Sequence, residues 1–384
     1  MPKKEVAPLT FDERWQTIQK KKVSKEGSPA RYTDLRPEGW EDNPPVLIAG
    51  GWSVGKGSLR ETARVLYENG RRVVIVDSGR YEKPQSRNGR LKAVKNKAKE
   101  CLEEFALKVG GNVETTASVE QPPRPQPTWD DEYLRIKTAV IKGSKRVKAA
   151  LKNARTRIKS TVAERRTRTK TLPEDLHPVI AGQAEALMDI IDDSRLEKVE
   201  IVSHSAGSLP ALIAAQRRPE LFSKLALTMP AGMFEDSVKE LLKRYRPKLI
   251  RSLTKDTFDN PRTGLSINLG GSAYIIRNPL KSYREIDAIT STRIRKALSE
   301  LSNRDDIKIA VLQANADPLF PAEKISDNII TRHGDRDSQG KWRKANEPLV
   351  NAYSSFIDRR AGHDNLMINP EDSTAAVLDI LEHM

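Results

Sequence analysis

Short apolar runs alternate with amphipathic helical segments along much of the chain. Each run is four to six residues long, apolar and bounded by turn residues, which is typical of a buried strand. Such strands are predicted at 46–49, 73–76, 199–202, 225–228 and 307–312. Amphipathic helices are predicted between them, for example at 58–69 and 180–193. The alternation predicts an α/β fold with a mainly parallel central sheet flanked by helices, whose ligands bind beyond the carboxyl ends of the strands.

Two stretches interrupt this alternation and divide the predicted core. Residues 82–173 contain PPRPQP at 122–127 and two charged helical segments, and they far exceed ordinary loop length, so we interpret them as a helical insertion. Residues 231–304 mix helical and loop patterns and are interpreted as a lid-like segment. The core then consists of an N-terminal part at 1–81, a central part at 174–230 and a C-terminal part at 305–384.

The insertion carries most of the excess charge. The 384-residue chain has a formal net charge of +15, and residues 135–170 hold fourteen Lys and Arg against one acid, Glu164. One interpretation is a solvated helical hairpin that packs its apolar stripe on the main domain. The others are binding to an anionic membrane surface or to nucleic acid. The segment lacks aromatic residues for lipid insertion or base stacking, which weakens both binding hypotheses.

Hydropathy and cysteine content limit the compartment and the cofactors. No window approaches the roughly 18 apolar residues of a membrane span, and the lysines near the start precede no apolar signal segment. Cys101 is the only cysteine, so an intrachain disulfide and a site built on several thiolates are excluded. We predict a cytoplasmic protein that needs no metal and no organic cofactor.

A sharp turn after one predicted strand suggests nucleophilic chemistry. Residues 199–215 predict a strand, a turn and a helix, with Ser205 at the centre of SHSAG, nearly Gly-x-Ser-x-Gly. Small residues are needed on both sides of such a serine because the strand and helix backbones approach closely. Ser203, in place of the first glycine, is still small.

These residues resemble the α/β-hydrolase superfamily, in the branch of small esterases, lactonases and carbon-carbon bond hydrolases. The resemblance covers roughly 30–81, 175–230 and the last 80 residues. It implies a nucleophile, an acid and a histidine in that chain order. In DPLFP, Asp317 follows a predicted strand and matches the acid. In AGHDNLMINPED, His363 precedes a predicted helix at 374–381 and matches the base, with His333 as its rival.

The same resemblance implies an oxyanion hole built from backbone amides. One donor is the amide of Ala206, directly after the nucleophile. The other maps onto the amide of Trp52 in VLIAGGWSVGKGS, with Gly50, Gly51 and Ser53 supporting the site. Gly50 stands where the family usually has histidine, which leaves a backbone donor intact.

The glycine-rich loop also supports a nucleotide-binding hypothesis. Gly50, Gly55 and Lys56 match most of the phosphate-binding pattern between a strand and a helix, with Asp77 available as a metal-side acid. Ser58, however, stands one residue later than the pattern requires. This hypothesis explains one loop, whereas the hydrolase hypothesis explains four spaced elements.

The sequence therefore predicts a serine hydrolase that acts on a small acyl compound. The substrate would be a carboxylic ester, thioester or lactone, cleaved through an acyl-enzyme on Ser205. The alternatives are a non-catalytic binding or scaffold protein that acts through its basic insertion, or a nucleotide-binding protein.

Overall fold

A computed structural model gives the fold of most of the predicted core. The residues that the structure describes are 10–17, 21–23, 30–51, 54, 56–76, 176–251, 264, 267, 271, 274–275, 278–330, 348–355 and 362–384. The basic insertion, predicted at 82–173, lies outside these residues, so the interpretations given to 135–170 stay predictions.

Eight described strands form one sheet. They are β1 (Lys21–Val23), β2 (Ala30–Leu35), β3 (Val46–Ala49), β4 (Val73–Val76), β5 (Val199–His204), β6 (Phe222–Thr228), β7 (Lys308–Gln313) and β8 (Ala352–Ser355). Their order is β1-β2-β4-β3-β5-β6-β7-β8. β2 pairs antiparallel with β1 and β4, and every pair from β4 to β8 is parallel. The predicted mainly parallel sheet is confirmed.

Helices connect the parallel strands, as such crossovers require. The described α-helices are α1 (Phe11–Thr17), α2 (Arg60–Glu68), α3 (Pro178–Asp193), α4 (Ser208–Arg217), α5 (Val238–Arg251), α6 (Pro279–Ser291), α7 (Arg295–Leu301), α8 (Ala322–Ser326), α9 (Asn365–Ile368) and α10 (Pro370–His383). α5, α6 and α7 belong to the predicted lid-like segment. Within the described residues, no helix combines the length and the apolar character needed to cross a membrane.

Alternate side chains of the central strands enter two separate apolar cores. In β3, for example, Leu47 packs in one core while its neighbours Val46 and Ile48 pack in the other. The first core contains residues of α3, α4, α6 and α7, and the second contains residues of α1, α2, α9 and α10. Both faces of the sheet are therefore covered, and β3 and β4 are apolar along their whole length, as strands buried on both faces usually are.

The start of α3 shows how a helix is fixed locally. His177 precedes the helix, and its Nδ1 accepts a hydrogen bond from the amide of Val179 at 3.2 Å. Pro178 follows at the first helical position, where its missing N–H costs no hydrogen bond. His177 therefore caps this helix.

Candidate active site

The turn after β5 holds Ser205 in a strained backbone conformation. Its φ of 55° lies in the left-handed region, which is uncommon for residues other than glycine. A Cβ on Gly207 would lie 2.3 Å from the carbonyl oxygen of Ala49, so this position accepts only glycine. The hydroxyls of Ser203 and Ser208 form a hydrogen bond of 3.0 Å between the strand and the helix. The sharp turn predicted from the sequence is therefore present, and Ser203 closes it with a bond that glycine could not make.

Asp317 is fixed by a tight turn after β7. Its Oδ1 accepts hydrogen bonds from the amides of Leu319 at 2.7 Å and Phe320 at 3.2 Å. Its own amide donates to the carbonyl of Ala314 at 3.1 Å, and the side chain of Gln313 donates to the carbonyl of Phe320 at 2.6 Å. These bonds hold the carboxylate, and its second oxygen remains available for another partner.

That partner is His363, in the loop between β8 and α9. Its Nδ1 lies 2.7 Å from Oδ2 of Asp317, and its Nε2 lies 2.9 Å from Oγ of Ser205. Because a carboxylate can only accept, Nδ1 carries the proton in this pairing and Nε2 is left to accept from the serine hydroxyl. The three side chains are buried, and they lie at the carboxyl edge of the sheet. Residues predicted from three distant segments are thus brought together.

The glycine-rich loop after β3 lies against the serine. A Cβ on Gly51 would be 2.7 Å from Cβ of Ser205 and 3.3 Å from its Oγ. A Cβ on Gly50 would contact a methyl carbon of Leu59 at 3.0 Å.

Ala206 occupies the predicted place, in the 3-10 turn that starts at Ser205. Trp52 and Ser53 lie outside the described residues, as do His333, Gly55 and Asp77.

His204, to which the sequence gave no role, lies beside this site. Its ring is fully buried and 5.1 Å from the ring of His363. The hydroxyl of Thr228 donates to the carbonyl of Ser203 at 2.9 Å and lies 3.4 Å from Nδ1 of His204. Burial, above all, lowers the pKa of His204 to about 3. His204 is therefore neutral at physiological pH.

A buried ion pair adjoins the histidine loop, and sequence reasoning missed it too. Nζ of Lys248, in α5, lies 2.6 Å from Oδ2 of Asp364. Burial, the largest single effect, favours the protonated carboxyl group, but the Lys248 ammonium together with the rings of His363 and His204 holds the pKa of Asp364 below its ordinary value. The only sequence signal was the place of Asp364 next to His363, which does not identify a partner on a helix more than 100 residues away.

His204, His363 and Asp364 have potential metal-ligating atoms within 4.8 Å of one another. Both ring nitrogens of His363 are already hydrogen-bonded, and the carboxylate of Asp364 contacts an ammonium group. A cation would have to displace Lys248 and break one of the bonds of His363. The donor set therefore does not fit a metal ion.

Several solved structures have the same architecture. The 2-hydroxy-6-oxo-6-phenylhexa-2,4-dienoate hydrolase of Rhodococcus sp. strain RHA1 is 12% identical, with a TM-score of 0.52 over 95% of this chain and 99% of that one. A bacterial membrane phospholipase A is 14% identical, with a TM-score of 0.51 over 95% of this chain and 86% of that one. The bromoperoxidase of Bacillus anthracis is 11% identical, with a TM-score of 0.50 over 95% and 100%.

The chain has the α/β-hydrolase fold. The resemblance expected from the sequence is thereby confirmed at the level of the fold. At the sequence level, no family model and no curated protein matches the chain. In this α/β-hydrolase fold, Ser205, Asp317 and His363 follow β5, β7 and β8, so the sheet itself brings their loops to one edge.

Proposed function

We propose that the protein is a serine hydrolase that cleaves an acyl compound through an acyl-enzyme on Ser205. The observation that carries the proposal is the buried chain of hydrogen bonds from Ser205 through His363 to Asp317, with spacings of 2.9 and 2.7 Å. A serine hydroxyl is a weak nucleophile until a base takes its proton, and an imidazole needs a carboxylate to fix its tautomer.

In the proposed reaction, Nε2 of His363 takes the proton as Oγ of Ser205 attacks the substrate carbonyl. Asp317 stays ionised and stabilises the imidazolium. The amides of Ala206 and Trp52 hold the oxyanion. His363 then gives the proton to the leaving group. Water next attacks the acyl-enzyme while His363 takes its proton, and His363 returns that proton to Oγ of Ser205 as the bond to the acyl group breaks. No residue outside this set is required for the proton transfers.

The proposed substrates are small carboxylic esters, thioesters or lactones. The residues are equally suited to cleaving a carbon-carbon bond next to a carbonyl. The close approach of Gly51 to Ser205 supports this proposal over nucleotide binding, because a loop wrapped round a phosphate would not have its backbone packed on a serine of another loop. The fold alone does not choose among these substrates.

Labelling with a fluorophosphonate probe tests the proposal, because the probe reacts with activated serines. We expect an adduct on the peptide that contains Ser205, located by mass spectrometry. Ser205→Ala should abolish it, and His363→Ala should slow its formation by about 1,000-fold or more, the scale of loss when an activating base is removed.

Two variants serve as matched controls. Ser291 is exposed at the end of α6, and His383 is exposed near the end of α10, so Ser291→Ala and His383→Ala should label at the wild-type rate. Folded wild-type protein that does not react, or that reacts at another serine, would overturn the proposal. In that case the scaffold and nucleotide-binding hypotheses would be tested next.

A further inference from the structure

One face of α5 contacts both loops that carry the candidate acid and base. Its cations Arg244, Lys248 and Arg251 follow at spacings of four and three residues, which places them on one side of a helix. Arg244 donates from Nε to the carbonyl of Leu319 at 2.8 Å, two residues after Asp317. The other two reach the histidine loop.

At that loop the packing is close. Lys248 lies 2.6 Å from the carboxylate of Asp364, the residue after His363. A Cβ on Gly362, the residue before His363, would lie 2.5 Å from Nε of Arg251. His363 is therefore flanked in the chain by two residues that contact α5. Only 12% of the Lys248 side chain and 3% of the Asp364 side chain is exposed, so solvent screens this pair weakly.

The charge around the His363 ring follows from these contacts. Asp317 faces it from the loop after β7 and neutral His204 from the end of β5. Asp364 adjoins it within its own loop. From α5 come Lys248, Arg251 and Tyr245, whose ring centroid lies 5.9 Å from Nζ of Lys248. Lys248 is the group that directly neutralises the carboxylate next to the base.

We propose that Lys248 is a positioning residue that holds the His363 loop through Asp364 and cancels the carboxylate's charge beside the ring. The lid-like segment then takes part in assembling the site and does not merely cover it. This inference rests on the proposed function, since it concerns the base of that reaction. Without Lys248, Asp364 in its ionised form would favour the imidazolium form of His363, which cannot act as a base.

A double-mutant cycle tests the proposal. It compares Lys248→Met, Asp364→Asn and the variant that carries both substitutions with the wild type. The readouts are the pH dependence of the fluorophosphonate labelling rate and the pH midpoint of the His363 ring signals by NMR. In Lys248→Met, at pH values where Asp364 stays ionised, we expect both midpoints to rise by about one pH unit, because its charge then acts on the ring without a counter-ion. In Asp364→Asn they should fall by a similar amount, and the double variant should return close to the wild type.

Two further variants separate charge from packing. Lys248→Arg keeps the charge and should keep the wild-type midpoints. Lys243→Met removes a cation from the exposed side of the same helix, where the side chain is 62% exposed, and should change nothing. If Lys248→Met does not fold, the fall in Asp364→Asn and its reversal in the double variant still decide. Midpoints that stay fixed while only the melting temperature falls would overturn the proposal and leave a structural ion pair.

The two readouts also separate this inference from the proposed function. If the probe fails to label the wild type but the NMR midpoints move in opposite directions, the coupling stands and the hydrolase proposal fails. If the probe labels Ser205 and the midpoints do not move, the hydrolase proposal stands and the role of Lys248 falls.

Discussion

Ser205 occupies a backbone conformation that an L-residue adopts at a cost. Its φ of 55° brings Cβ close to the following carbonyl, and the usual penalty is roughly 1–2 kcal/mol. Glycine has no such penalty. The same conformation places Oγ of Ser205 2.9 Å from Nε2 of His363 at the edge of the sheet. The conformation that lowers the stability of the fold is thus the one that the proposed chemistry needs.

Because of this strain, we expect the Gly and Ala variants of Ser205 to have the opposite order of stability from the same two variants inside a helix. Ser205→Gly should be more stable than Ser205→Ala by about 1 kcal/mol, although both lose the hydroxyl. Urea denaturation at pH 7 measures the difference. Ser299, inside the helix α7, is the matched control, because there the glycine variant should be the less stable by about 1 kcal/mol. Equal stability of the two Ser205 variants would mean that the turn is not strained.

Gly51 provides a second prediction at the residue scale. A methyl group there would lie 2.7 Å from Cβ of Ser205, so Gly51→Ala should push the serine away from His363. Misplacement of the serine by about 1 Å is expected to slow fluorophosphonate labelling about 100-fold. In Gly57→Ala the added methyl would meet no atom of the described residues within 4 Å, so labelling should be unchanged. Wild-type labelling in Gly51→Ala would show that the loop yields freely.

At the scale of elements, the sequence predicted the strands that are buried on both faces. β3, β4, β5, β6 and β7 all appear within a few residues of the predicted bounds. It missed β1, β2 and β8. β8, AYSS, has little apolar content to mark it, and its Tyr353 is 40% exposed. β2 is marked by Tyr32 and Leu35, which are buried among polar neighbours. These strands near the two ends of the sheet are defined by pairing with a neighbour, and that pairing is not visible in a local sequence pattern.

The residues of the candidate site also fall into a group that the sequence predicts and a group that it does not. Ser205, Asp317 and His363 were predictable because turn chemistry and chain order mark them. His204, Lys248 and the pairing with Asp364 were not, because each depends on contacts between segments far apart in the chain. A basic residue on an amphipathic helix is usually exposed to solvent, so nothing in the sequence around Lys248 indicated that it is buried.

The packing of α10 gives a prediction for a single element. Val377 and Leu381 lie one turn apart and are buried in the core that this helix shares with α2. Leu381→Ala should lower the free energy of unfolding by about 3 kcal/mol because it removes buried methyl groups and leaves a cavity. Asp379→Ala, on the exposed side of α10, should change it by less than about 0.5 kcal/mol. Denaturant titration compares them, and a small effect at Leu381 would mean that α10 is loosely packed.

At the scale of the whole molecule, we propose that the basic insertion is dispensable for folding. β4 ends at Val76, before the insertion, and the described core continues with α3 from Pro178 after it. Replacing 82–173 with a short Gly/Ser linker should keep the melting temperature within a few degrees and keep labelling of Ser205, since loop length affects stability weakly. Differential scanning calorimetry and the probe measure both.

The control is a full-length variant in which the Lys and Arg of 135–170 are changed to Gln. Both variants should lose any salt-sensitive binding to anionic vesicles or to nucleic acid, while labelling persists. Insoluble protein after excision, together with a well-folded Gln variant, would show that the segment belongs to the core. Binding that survives in the Gln variant would exclude an electrostatic role for it.

The second apolar core, which covers one face of the sheet, joins the two extremes of the described chain. Phe11, Leu59 and Leu66 share it with residues of α9 and α10, and the hydroxyl of Thr62 donates to the carbonyl of Leu366 across 304 positions. During synthesis at about 5–20 residues per second, that distance takes roughly 15–60 s to translate. Throughout that interval the part of this face that α9 and α10 cover in the folded protein stays exposed. The protein is therefore expected to depend on chaperone binding until α10 has left the ribosome.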